Sequence, residues 1–146
     1  MRKRTHAREI ALQALYQHDI HRKIDDTRRA TVEEFEPFIA GASDDPEVRH
    51  YARSLVDGTM SMTEEIDRRI AAAAKNWKLG RIAPVDRSIL RLALYEMLAS
   101  EDVPPKVAIN EAIDLAKKFS TEQSGAFVNG ILDRIYGEIR GQEKDV

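Results

Sequence analysis

The chain of 146 residues has the length of one compact domain, or of two small halves that share a core. Its 23 basic and 25 acidic residues give a formal net charge of -2, which excludes a uniformly basic polyanion binder. The lack of cysteine excludes disulfides, thiolate metal sites and cysteine nucleophiles. No apolar run is long enough for a signal peptide core or a membrane span, so we expect a cytoplasmic protein.

Charge is distributed unevenly along the chain. Residues 1–30 carry a net charge of +4, residues 31–70 carry -6, and residues 71–146 are neutral. The first residues therefore form a basic arm on an acidic or balanced body. The near-neutral total still allows a local surface that binds nucleic acid.

The first half of the sequence predicts four helices, because its apolar residues recur with the helical period. Thr5 is the expected N-cap of a first helix that runs from Ala7 to about His21. A short second helix ends at Gly41, and the sequence Asp44-Asp45-Pro46 marks the start of the third. The fourth begins within Thr63-Glu64-Glu65.

The second half predicts three more helices. A connector over residues 76–83 contains the only tryptophan, and Pro84 then begins a helix that is apolar on several sides. Pro104-Pro105 precedes the next helix, and Thr121 or Ser124 starts the last one, which glycines and a polar tail close. With no alternating strand pattern, the expected fold class is all-α with about seven helices.

Two pairs of residues have the spacing of metal ligands on a helix. Glu47 and His50 form a Glu-x-x-His pair, and His18 and His21 are also one turn apart. An exposed helix turn and the end of a helix are the simpler interpretations, since no second Glu-x-x-His pair occurs. The sequence also lacks a Gly-x-Ser-x-Gly elbow and a glycine-rich phosphate loop, so we expect no catalytic residue, metal or cofactor.

The basic arm is the clearest local sign of function. Arg2, Lys3, Arg4 and Arg8 can neutralise phosphates, and arginine can also stack on bases. Single-stranded RNA is held by aromatic stacking as well as by charge, and Phe127 is a candidate for that contact. A place for Phe127 in the core agrees equally well with the helical period.

Four ordered segments resemble the NusB family of bacterial transcription antitermination factors, and the likeness covers nearly the whole chain. They are Ala7-Arg-Glu-Ile-Ala-Leu-Gln-Ala-Leu-Tyr16, Asp86-Arg-Ser-Ile-Leu-Arg-Leu-Ala-Leu-Tyr-Glu96, Val103-Pro-Pro-Lys-Val-Ala-Ile-Asn-Glu-Ala-Ile113 and Phe127-Val-Asn-Gly-Ile-Leu132. The resemblance implies one domain over residues 1–146, with an arm at about 1–6 and two packed helical halves at about 7–75 and 84–140.

The resemblance also implies a function without catalysis. A protein of this family binds boxA, a short single-stranded RNA element in ribosomal RNA leaders, together with NusE, a small-subunit ribosomal protein. The complex helps RNA polymerase to read through terminators on ribosomal operons. Some members form homodimers, so the free protein is expected to be either a monomer or a homodimer.

Site residues follow from positions that match the family pattern. Tyr16 and Asp86 match positions that hold NusE. Gln123 and Ala126 replace an aspartate and a lysine of the family pattern, which removes one charge of each sign from the expected RNA surface. The residues expected to contact RNA are Arg2, Lys3, Arg4, His6, Arg8, Gln123 and Phe127.

Two other functions stay open at this point. The chain could be a protein-interaction module centred on Tyr16 and Asp86, with incidental RNA affinity. It could also be a metal-dependent helical-bundle enzyme that uses Glu47 and His50.

Overall fold

The computed structural model describes residues 2–21, 32–75 and 78–144. Within these residues the secondary structure is entirely helical, which confirms the predicted all-α class. Trp77 of the predicted connector and four basic residues of the first segment (Arg22, Lys23, Arg28 and Arg29) lie outside the described residues. The α-helices are α1 (Arg2–His21), α2 (Glu36–Ala42), α3 (Pro46–Ser61), α4 (Thr63–Ala73), α5 (Pro84–Ala99), α6 (Pro105–Phe119) and α7 (Glu122–Lys144).

The chain forms two compact units, Met1–Met62 and Thr63–Val146. In the first unit α1 packs against α3, and α2 packs against both. The buried side of α1 combines small side chains, such as Ala7 and Ala11, with the larger Ile10 and Leu15. Leu55 and Val56 of α3 are also buried, so apolar side chains of both helices are removed from water.

Helix α3 begins where the sequence predicts. The side chain of Asp45 accepts a hydrogen bond of 2.9 Å from the backbone N–H of Glu47, and Pro46 occupies the first helical position. Asp45 thus satisfies an N–H group that the helix leaves without an internal partner. The cap also fixes the carboxylates of Asp45 and Glu47 at one end of α3.

In the second unit α6 packs against both α5 and α7, while α4 packs against α5 and α7. Helix α5 is buried on several sides, as its apolar pattern predicts, and Ile89, Leu90 and Leu94 are fully buried. Arg91 makes a bidentate ion pair with Asp67 of α4, with N–O distances of 2.8 and 3.0 Å. The guanidinium fork of Arg91 is thus occupied by a carboxylate within the second unit.

The two terminal helices are longer than the sequence indicates. Helix α1 begins at Arg2, which corrects the expected start after Thr5, because side chains of its first turn contact α3. Helix α7 continues through Gly137 and Gly141 to Lys144, and no described glycine takes the positive φ that usually ends a helix. No helix in the described ranges is both long and apolar enough to cross a membrane.

Candidate nucleic-acid interface

The basic arm forms the first two turns of α1. Arg2, Lys3 and His6 are exposed, and Arg4 is half-buried. Arg8 faces inward, with only 2% of its surface accessible to solvent. The arm therefore offers solvent the cations of its first turn, whereas Arg8 belongs to the packing beneath them.

Lys3 connects the arm to the N-terminal end of α3. Its Nζ lies 3.2 Å from Asp45 Oδ2 and 3.2 Å from Glu47 Oε2. The hydrogen bond to Asp45 raises the pKa of Lys3, with Glu47 adding to the effect. The pKa of Asp45 is lowered, chiefly by the backbone N–H of Glu47 and next by Lys3. The Lys3 side chain is still 58% exposed, so its charge is shared with two carboxylates but is open to water.

Tyr51 of α3 organises the arginines of the arm. The guanidinium carbon of Arg4 lies 4.8 Å from the centre of the Tyr51 ring, and that of Arg8 lies 5.8 Å away. Both distances fall within the range in which a cation is attracted to an aromatic face. Sequence reasoning missed Tyr51, which lies beside Ala52 at the edge of the apolar stripe of α3 and meets the arm only in the folded chain.

An open pocket of about 390 Å³ lies between the arm and the start of α3. It combines two cations, an aromatic ring and an imidazole with one carboxylate, a mixture suited to a planar polar group. The lining residues are Lys3, Arg4, Pro46, Glu47, His50 and Tyr51.

The pairs with metal-ligand spacing have other surroundings. Glu47 accepts a hydrogen bond from Lys3, and His50 lines the same pocket. His18 packs its ring edge-on against Phe35, with ring centres 5.7 Å apart. Among the described residues, no three His, Asp or Glu side chains come close enough together to hold a metal ion.

The second candidate region is the first turn of α7. Thr121 caps it, because its Oγ1 accepts a hydrogen bond of 3.0 Å from the backbone N–H of Ser124. Gln123 and Ala126 are exposed, and Phe127 is half-buried on the next turn. Phe127 thus has one part in contact with the protein and one part open to solvent, whereas Gln123 is exposed.

Asp86 lies close to this turn within the same unit. It is only 7% exposed, and it occupies the first turn of α5, where a carboxylate is favoured by the helix dipole. The hydroxyl of Ser124 donates to its Oδ2 at 3.1 Å. Sequence reasoning missed this role of Ser124, since the two residues are 38 positions apart.

Lys117 of α6 also reaches the start of α7. A Cβ added at Gly125 would lie 3.3 Å from Lys117 Cγ and 3.6 Å from its Cε. The aliphatic part of the lysine thus lies across the glycine, which is buried. Lys117 therefore places a cation near the turn in which Ala126 replaces the lysine of the family pattern.

The predicted partner residues lie in different units. Tyr16 is half-buried on α1 of the first unit, and Asp86 belongs to the second. Along α1, the twelve residues from Arg4 to Tyr16 span about 18 Å at the usual helical rise. The structure therefore gathers Lys3, Arg4 and Arg8 around Tyr51 and separates Tyr16 from that group.

Comparisons with known proteins agree with this architecture. The sequence model of the NusB family matches residues 5–137. The transcription antitermination protein NusB of Anaeromyxobacter sp. (strain Fw109-5) is 50% identical over 134 residues, which cover 91% of this chain and 89% of that protein.

Solved structures give the same result. T. maritima NusB superimposes with a TM-score of 0.78 and 38% identity, covering 92% of this chain and 91% of that one. A crystal structure of the antitermination factors NusB and NusE in complex with dsRNA gives a TM-score of 0.79 at 31% identity, with 94% and 98% covered. The chain therefore belongs to the NusB family of transcription antitermination proteins.

Proposed function

We propose that this protein is a non-enzymatic, cytoplasmic RNA-binding factor that recognises boxA RNA of ribosomal operon leaders together with NusE. The main support for this proposal is the structural similarity to NusB in its complex with NusE and dsRNA, since that similarity covers 94% of the chain. The complex would then join the antitermination machinery of RNA polymerase. Sedimentation of the free protein distinguishes the monomer from the homodimer that some relatives form.

The first RNA-binding region in this proposal is the first turn of α1. Arg2, Lys3 and His6 are exposed and Arg4 is half-buried, so phosphates can approach them from solvent. Arg8 is buried below Tyr51, and its contribution is to hold the ring against which Arg4 stacks. The guanidinium of Arg4 is thereby held in one place before the RNA arrives, which lowers the entropy lost on binding.

The second RNA-binding region is the start of α7. Gln123 can read the edge of a base with its amide, and the accessible part of Phe127 can stack on an unpaired base. NusE would bind at Tyr16 and at Asp86, whose second oxygen, Oδ1, is a buried acceptor.

A fluorescence anisotropy titration with a boxA oligonucleotide, a scrambled oligonucleotide of equal length and purified NusE tests the proposal. We expect tight binding of boxA in the presence of NusE and clearly weaker binding of the scrambled RNA. Equal affinity for both RNAs would overturn the boxA assignment, and RNA affinity unaffected by NusE would overturn the joint recognition.

One observation favours a second function, a protein-interaction module whose RNA affinity is incidental. Lys3 already has two carboxylate partners, Asp45 and Glu47, so the arm is partly neutralised within the protein. Under this alternative NusE binds tightly, boxA RNA does not change the affinity for NusE, and substitutions in the arm have no effect. The same titration, with NusE as the labelled species, separates the two functions.

A further inference from the structure

A continuous chain of hydrogen bonds joins the start of α7 to the buried carboxylate of Asp86. Ser124 lies at its centre: its Oγ is 3.1 Å from Asp86 Oδ2, 2.8 Å from Ser120 Oγ and 3.1 Å from Thr121 Oγ1. A carboxylate only accepts hydrogen bonds, so the single Ser124 proton goes to Asp86. The hydroxyls of Ser120 and Thr121 must then donate to Ser124.

This arrangement uses the full capacity of the Ser124 hydroxyl, which has one proton and two acceptor sites. Its backbone N–H is also engaged, because it donates to Thr121 Oγ1 at 3.0 Å. The first turn of α7 is therefore fixed to α5 through one side chain. Gln123 precedes Ser124 in the chain, and Phe127 follows it by about one helical turn.

Asp86 still has an unused acceptor. Its Oδ1 is buried and has no hydrogen-bond partner among the described residues, whereas Oδ2 receives Ser124. A buried carboxylate oxygen without a donor is energetically unfavourable, so an incoming N–H or cationic group is favoured there. Asp86 thus has one oxygen bound to the α7 turn and one buried oxygen that lacks a donor.

We propose that Ser124 is a positioning residue that couples the partner site at Asp86 to the RNA site at the start of α7. The inference rests on the proposed function. Contact of the protein partner with Asp86 holds the carboxylate in one orientation, and Ser124 passes that restraint to the turn that carries Gln123 and Phe127. By linkage, RNA bound at this turn strengthens the partner's binding by the same factor.

The test measures the enhancement factor, defined as the ratio of boxA affinities with saturating NusE and without it. We expect Ser124→Ala to reduce this factor about tenfold, the lower end of the effect of losing a hydrogen bond to a charged group. Asp86→Asn should reduce it similarly, and the double variant should lose no more than either single variant. Ser124→Thr keeps the hydroxyl and should restore most of the enhancement.

Ser61→Ala is the matched control, because its hydroxyl is exposed and donates only within α3, to the carbonyl of Gly58 at 2.9 Å. Thermal unfolding of every variant verifies the fold, and a merely structural role of Ser124 would lower both affinities without changing their ratio. An unchanged factor in Ser124→Ala, or additive losses in the double variant, would overturn the coupling. Wild-type protein that binds boxA without any enhancement by NusE would also overturn it, whereas wild-type protein that binds no RNA at all would overturn the proposed function as well.

Discussion

The first turn of α1 and the first turn of α7 differ in the side chains that they offer to a ligand. The α1 turn is rich in charge, and its cations are held by two carboxylates and by the face of Tyr51. The α7 turn exposes the acidic Glu122 together with the neutral Gln123 and Ala126, and hydroxyl groups fix it to Asp86. Under the proposed function, the cations of the α1 turn attract phosphates, whereas the fixed α7 turn provides selectivity through Gln123 and Phe127.

The largest expected effect concerns the α7 turn. Phe127→Ala should weaken boxA binding by about 1–3 kcal/mol, because one base loses its stacking partner. Anisotropy titration measures the loss. Tyr136→Ala is the matched control, since this half-exposed aromatic residue lies farther along the same helix. If the Phe127 variant keeps its RNA affinity but unfolds at a lower temperature, the side chain belongs to the core alone.

The next prediction concerns the α1 turn, whose contribution is measured by the dependence of RNA affinity on salt concentration. Arg2, Lys3 and Arg4 are the accessible arm cations, since Arg8 is buried. Three phosphate contacts give a slope of about -2 for log affinity against log salt, from about 0.7 per contact for single strands. Titrations at several salt concentrations measure the slope, and Arg4→Gln should make it less steep by about 0.7. A flat dependence would show that the arm does not bind phosphate.

A smaller effect tests whether Tyr51 prepares the arm. Tyr51→Leu removes the ring that Arg4 and Arg8 contact, and a contact of this kind contributes about 0.5–1 kcal/mol at an exposed site and about 2 kcal/mol when desolvated. We expect a lower Tm and RNA affinity reduced several-fold, with the salt slope unchanged because no cation is lost. Tyr95→Leu serves as a control with the same chemical change on α5. Unchanged RNA affinity in the Tyr51 variant would limit the ring to a structural role.

The smallest effect is a pH dependence of the contact between the arm and α3. The pKa of Asp45 is lowered from its ordinary value of 3.8, so its contribution is lost only as pH falls through that lowered value. The pKa of Lys3 is raised from 10.5, so its contribution is lost as pH rises through that raised value.

The Tm difference between wild type and Lys3→Met should therefore be present at neutral pH and shrink at both extremes. Thermal unfolding across the pH range measures it. A difference that stays constant from acid to alkaline pH would show that packing of the lysine stem, and not its charge, holds the arm.

Local signals made much of the fold predictable. Asp45 and Pro46 mark the start of α3, and Pro84 marks the start of α5, because capping and the fixed φ of proline act within a few residues. The family resemblance supplied the candidate site residues, and their contacts with RNA and NusE stay predictions. Contacts between residues that lie far apart in the sequence were harder to predict.

Two such contacts decide how the candidate regions are built. Helix α1 begins earlier than predicted because Lys3 meets Glu47, a residue 44 positions away. Ser124 looked only like a helix start until the fold placed it against Asp86. Pattern reasoning identifies residues that suit a helix turn, but it cannot show which distant side chain completes their hydrogen bonds.

The double ion pair of Lys3 has a consequence for discrimination between ligands. Under the proposed function, a phosphate that binds the exposed Lys3 competes with Asp45 and Glu47 for its ammonium group and is repelled by both carboxylates. A lone phosphate anion gains little from such an exchange. Under the proposed function, an RNA strand that also contacts Arg4 gains attraction that a small anion lacks, so the acids of α3 favour an extended strand over a free phosphate.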